Sequence, residues 1–167
     1  DSGIIKKHEY TRPAKEDDRV SHIESLNSQT GPVFLTYRAM AEIDAFVEGA
    51  CNKDPDVDFE AVDGVRHTSW VLSSKEEMDF LKEQFEKVDF LYIADGHHRS
   101  AAASRVNASR QGAGQSSRFL SVIFPHDQMQ ILAYNRAIKT LNGNTPQTFL
   151  EQLGGVFDVN ENEEGIC

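Results

Sequence analysis

The stretch Asp95-Gly96-His97-His98-Arg99 puts a carboxylate, a glycine, two imidazoles and a guanidinium on five consecutive positions. Such a set can hold an anion or act as acid and base. It follows the apolar run Phe90-Leu91-Tyr92-Ile93-Ala94, which has strand length, and precedes the small residues Ser100-Ala101-Ala102-Ala103. A strand is therefore expected to turn into a helix here. The first N–H groups of a helix have no partner inside it and lie at the positive end of its dipole, so phosphate oxygens gain donors and favourable charge together. Gly96 lets the backbone come close, and Arg99 with either histidine adds charged donors from the side. Three basic groups on a first turn oppose the dipole and destabilise the helix unless an anion offsets them. An anion seat is thus favoured over an ordinary cap made by Asp95. Metal binding fits less well. Adjacent histidines point about 100° apart on a helix and no His-x-x-x-His pair is present, leaving Asp95, His97 and a distant His8 or His67 as the set a metal would need.

Other polar residues gain meaning only from where the fold puts them. His8-Glu9 lacks a second histidine at zincin spacing, so Glu9 becomes a general base or a magnesium ligand only if its strand lies beside the Asp95 turn. Lys15, Asp18 and Arg19 read first as a charged helix face, with phosphate contact from Lys15 or Arg19 as the sharper alternative. In His67-Thr68-Ser69-Trp70 the strand alternation points Trp70 to the core and leaves His67 free to face either way. Arg136, late in the chain, is a candidate second anion contact. Nucleophilic catalysis has poor support, since Ser100 lacks a nucleophile elbow and neither cysteine has a histidine beside it. Neither Gly-x-x-x-x-Gly-Lys nor Gly-x-Gly-x-x-Gly occurs, which excludes the common nucleotide-binding signatures.

The elements that must position these residues follow from periodicity and punctuation. A short strand is expected within Gly3–Thr11, a helix from Pro13 to about Ser28, a strand over Val33–Tyr37, and an amphipathic helix carrying Met40, Ile43, Phe46 and Val47. Two strands around Asp63-Gly64 form a hairpin. A helix capped by Ser73 or Ser74 follows, with Met78, Leu81, Phe85 and Val88 as its stripe. After the helix from His97 to about Ser109 comes the flexible loop Gln111–Ser117, then strands Phe119–Phe124 and Gln130–Tyr134 and a final helix from Pro146 to about Leu153. Strands joined partly by hairpins and partly through helices imply an α+β fold, a mixed sheet with flanking helices.

With 167 residues, residues 1–157 are read as a single mixed α/β domain and 158–167 as a frayed acidic end. A formal net charge of -10 argues against nucleic acid or an anionic membrane as partner, because both are bound through dense positive charge. Any basic patch must be local. Cys51 and Cys167 make neither a disulfide framework nor a zinc signature, which points to a reducing, cytoplasmic setting.

Tyr92-Ile93-Ala94-Asp95-Gly96-His97-His98-Arg99, preceded by His8-Glu9-x-Thr11, Lys15, Asp18-Arg19 and His67-Thr68-x-Trp70, resembles the bacterial and archaeal family catalogued as domain of unknown function 1015 over about residues 3 to 142. Members are longer at both ends, so the resemblance implies that this chain is a central portion. Where the family's late strand reads Pro-x-His-Arg, this chain has Ala133-Tyr134-Asn135-Arg136, which keeps hydrogen bonding but lacks the titratable ring. More distantly, the turn resembles the site of the ParB/sulfiredoxin-like fold, whose free-serine kinases pair an upstream His-Glu with a downstream Asp-Gly-His-His-Arg-like turn. That resemblance implies a ParB/sulfiredoxin-like core and phosphoryl transfer from ATP or ADP with magnesium to a small hydroxyl-bearing metabolite. Glu9 would take the hydroxyl proton, Asp95 would position the hydroxyl or a magnesium ion, and Gly96, His97, His98 and Arg99 would hold the phosphates. The competing expectations are a nucleotide-binding or regulatory module without chemistry, and a hydrolase in which Glu9 or His97 activates water.

Overall fold

A computed structural model describes residues 3–132 and 137–160. The chain divides into two compact units, Asp1–Met129 and Gln130–Cys167. The first contains β1 (Ile5–Lys6), α1 (Pro13–Leu26), β2 (Val33–Tyr37), α2 (Ala41–Cys51), β3 (Val57–Glu60), β4 (Arg66–Ser69), α3 (Lys75–Phe85), β5 (Leu91–Asp95), α4 (His97–Ser109) and β6 (Ser121–Pro125), followed by a 3-10 turn at His126–Gln128. The second contains α5 (Pro146–Gly154), started by Pro146 and capped by the Thr145 hydroxyl, which accepts from the Thr148 amide at 3.2 Å.

Four strands form one sheet in the order β1-β5-β2-β6. β1 runs parallel to β5, β2 antiparallel to β5, and β6 parallel to β2. The sheet is mixed and helices flank it, so the fold is α+β. Alternation along β2 buries Val33, Leu35 and Tyr37. Leu35 stands opposite Ile93 of β5, and Val33, Leu35 and Ile93 form the core, with Ile5, Leu91 and Phe119 packed around them. On α4 the residues buried are His97, Ala102, Ala103 and Val106. The alanines keep the inner side of this helix thin.

Ion pairs and polar bonds join α1 to α4, since Arg105 reaches Asp17 at 2.7 Å and Glu16 at 3.3 Å while Arg110 donates to Asn27 at 2.7 Å. Asn27 ends α1 in the left-handed conformation at φ +48°. Helices α2 and α3 meet through Phe46 stacked on Phe80, centroids 5.0 Å apart, and Phe85 lies edge-on to Tyr37. Their inner faces are Ile43, Phe46 and Ala50 on one and Phe80, Gln84 and Phe85 on the other. Val47 and Met78, expected in the apolar stripes, are exposed. Ser74 caps α3 by accepting from the Glu77 amide at 3.1 Å. Strands β3 and β4 form the expected hairpin, with Gly64 at φ +80° in its turn. Trp70 proves half-buried rather than core, its indole N–H donating to the Lys53 carbonyl at 2.9 Å.

Two expected strands differ. The opening strand is only Ile5–Lys6, because the following amides are taken by side chains of α4 instead of a neighbouring strand, as described below. Gln130–Leu132 carries no regular structure, and the rest of that expected strand, with Arg136, lies outside the described residues. Among the described residues no helix is long and apolar enough to cross a membrane.

Replacing Leu35 by alanine removes the side chain at the centre of the sheet, and urea unfolding should show a loss of about 2–5 kcal/mol with an unchanged denaturant slope.

Candidate functional site

At the end of β5 the chain must turn from extended to helical within one residue, and Gly96 does so at φ +99°, a conformation costly for residues with a Cβ. The first helical bond of α4 runs from the Ser100 amide to the Gly96 carbonyl at 2.9 Å. Earlier amides of that turn have no acceptor within the helix. Successive helical residues point in different directions, so the four polar residues are dealt to two sides of the turn.

One side is a hollow of about 760 Å³. Lys15, Asp18, Arg19 and His22, spaced at helical intervals, present one face of α1 to it. Gln29, Thr30 and Gly31 line it from the loop before β2, and Asp95, Gly96, His98 and Arg99 from the turn. The other side is a hollow of about 830 Å³, whose lining includes His8, Glu9, Thr11, His97, Ser100 and Arg118. Thus Gly96, His98 and Arg99 share a hollow with Lys15, Arg19 and Asp95, while His97 joins His8 and Glu9 in the second. His67 lines neither, and stacks on Phe59 in the β3–β4 hairpin. Among the described residues, no three His, Cys, Asp or Glu side chains converge to hold a metal, so the set of Asp95, His97 and His8 or His67 does not assemble.

Arg99 is positioned by two bonds. Its Nη1 donates to the Pro32 carbonyl and its Nη2 to Asp95 Oδ2 at 2.6 Å. Two glycines leave it room. A Cβ on Gly31 would stand 3.2 Å from Nη1, and one on Gly96 would stand 3.1 Å from Nε and Nη2. The Arg99 side chain is one-third exposed, at 33 %, against 76 % for the Asp95 side chain.

Both imidazoles accept backbone hydrogen bonds. The His8 amide donates to His97 Nε2 at 3.4 Å and the Arg12 amide to His98 Nε2 at 3.1 Å. They fasten segment 8–12 to α4, which explains why β1 stops at Lys6. The His97 side chain is almost fully buried, 2 % exposed, with Nδ1 3.5 Å from Glu9 Oε2. Burial, reinforced by the nearby charge of His8, holds the His97 pKa below its ordinary value despite the opposing pull of Glu9 and Asp95. A neutral ring with Nε2 accepting carries its proton on Nδ1, toward Glu9.

Sequence reasoning missed His22, Gln29 and Gly31. His22 was within reach, because 15, 18, 19 and 22 fall on one helical face. Gln29 is committed to structure, bonded at both ends of its amide to the Arg118 carbonyl at 2.8 Å and the Leu120 amide at 2.6 Å.

The geometry therefore defines an α+β domain that presents a locally basic hollow at a strand-to-helix turn. The chain belongs to the family described as Protein of unknown function (DUF1015), which it matches over residues 1–166. No curated protein and no solved structure matches it.

Because the folded His97 resists protonation, the unfolded chain binds more protons between its ordinary pKa of about 6.5 and the lowered folded value. This contribution is complete above that window and is lost as pH falls through it. Thermal melts followed by circular dichroism should show a midpoint that drops between pH 7.5 and 5.5, with a shallower drop in His97→Gln.

Proposed function

We propose that this chain is a nucleotide-dependent phosphotransferase acting on a small hydroxyl-bearing metabolite, with the nucleotide's phosphates held in the hollow between α1 and the β5–α4 turn. One observation carries the reading. A chain of formal net charge -10 gathers Lys15, Arg19, His22, His98 and Arg99 around one hollow at the start of a helix. Transfer of a phosphoryl group needs mainly positioning and neutralisation of charge, and a cluster of basic side chains beside free helix amides supplies both. Asp95 lines the same hollow and is the carboxylate best placed to orient a hydroxyl, or a magnesium ion arriving with the phosphates of ATP or ADP. Glu9, with His97, opens on the neighbouring hollow, so its role as base requires the acceptor to approach from that side. The mixed sheet and its strand-to-helix turn are compatible with a ParB/sulfiredoxin-like core.

A second reading, a nucleotide-binding or regulatory module without chemistry, is favoured by two features. Glu9 and Asp95 lie in different hollows, and Asp95 is already engaged by Arg99.

Arg99→Ala should weaken nucleotide binding by roughly 1.5–3 kcal/mol, the range for a hydrogen bond to a charged group, as measured by calorimetry. Unchanged affinity would remove the hollow as the phosphate site. Screening for phosphate acceptors then separates the readings: a phosphotransferase keeps nucleotide affinity but loses turnover in Glu9→Gln, whereas a binding module shows no turnover in the parent chain.

A further inference from the structure

Within the basic hollow, one anion contact of Arg99 is made by the chain's own Asp95. Arg99 is anchored from behind by the Pro32 carbonyl, and its outward Nη2 carries Asp95 Oδ2 at 2.6 Å. The two partners differ in freedom. Glycines at 31 and 96 and the Pro32 carbonyl hem in the guanidinium, whereas the Asp95 carboxylate is mostly exposed on the last residue of β5. A phosphate entering beside Lys15 and Arg19 meets Arg99 with a carboxylate in its way. Two anions cannot share one guanidinium N–H without repulsion, and the more exposed partner, Asp95, is the one to move.

We infer that Asp95 is an internal competitor for the phosphate seat, displaced from Arg99 when a phosphorylated ligand binds. This rests on the hollow being the phosphate site, as proposed above. Displacement leaves a free carboxylate next to the bound phosphate, the arrangement that recruits a divalent cation or a hydroxyl. Asp95 Oδ2, bonded to Arg99 at 2.6 Å, becomes available to a hydroxyl or a cation once the phosphorylated ligand has displaced it.

Pyrophosphate and ADP serve as probes in calorimetric titrations of the parent chain, Asp95→Asn, Arg99→Ala and the double variant. Asp95→Asn should bind both probes roughly fivefold more tightly, the scale of one partly exposed ion pair, and the gain should largely vanish in the Arg99→Ala background. Asp95→Ser, in which the carboxylate is also absent, guards against a folding artefact and should shift in the same direction. Equal or weaker binding by both Asp95 variants overturns the competitor role while leaving the phosphate site intact. An equal gain with and without Arg99 also overturns it, since that is a general charge effect. If no variant and no parent chain binds either probe, the phosphate-site reading itself fails.

Discussion

A single glycine between β5 and α4 sets the arrangement on which the rest of the site depends. Its left-handed backbone lets an extended strand become a helix with no intervening loop, so the polar residues that follow it start a helix rather than line a strand. Helical geometry then parts neighbours: Arg99 swings back toward Asp95 and the carbonyl of Pro32, while His97 turns under the helix toward Glu9. The Arg99 bridge ties the entry to β2 to the exit of β5, two strands that are hydrogen-bonded neighbours. The site and the centre of the sheet are therefore braced by the same connection.

Charge gives the hollow its character. Acidic side chains outnumber basic ones 27 to 17 over the chain, yet around this depression the balance reverses. Lys15, Arg19 and Arg99 there outnumber Asp18 and Asp95, a local excess of positive charge against a negative background. The same contrast makes the site sensitive to ionic strength, since exposed charges more than about 8–10 Å apart are largely screened at physiological salt.

Local signals carried much of the fold. The Asp63-Gly64 hairpin, a cap at Ser73 or Ser74, the strand Val33–Tyr37 and the start of α4 at His97 all depend on contacts within a few residues, and these were legible. Part of the hollow's lining was legible too, Lys15 and Arg19 among it, whereas His22, Gln29 and Gly31 were not and His67 lies elsewhere. The site's partition was not legible. Whether His97 and His98 face a common ligand or separate sides depends on which backbone passes them, and that backbone, residues 8–12, is almost ninety positions away. The same holds for Gly31, whose missing Cβ matters only because Arg99 arrives from α4. Strand length at β1 failed for a related reason, because imidazole acceptors replaced ladder partners.

Those imidazole fastenings also say something about how the molecule comes apart. Residues 8–12 are held to α4 by two side-chain acceptors rather than by a continuous ladder, and β1 pairs through only two residues. Residues 8–12 therefore belong to the low-energy tier of partial opening events, beside a core of Val33, Leu35 and Ile93 against which only Ile5 of this margin packs. Hydrogen exchange at the amides of His8 and Arg12 would then run well ahead of that in β2 and β5, marking a sheet margin whose release exposes the flank of α4 without global unfolding.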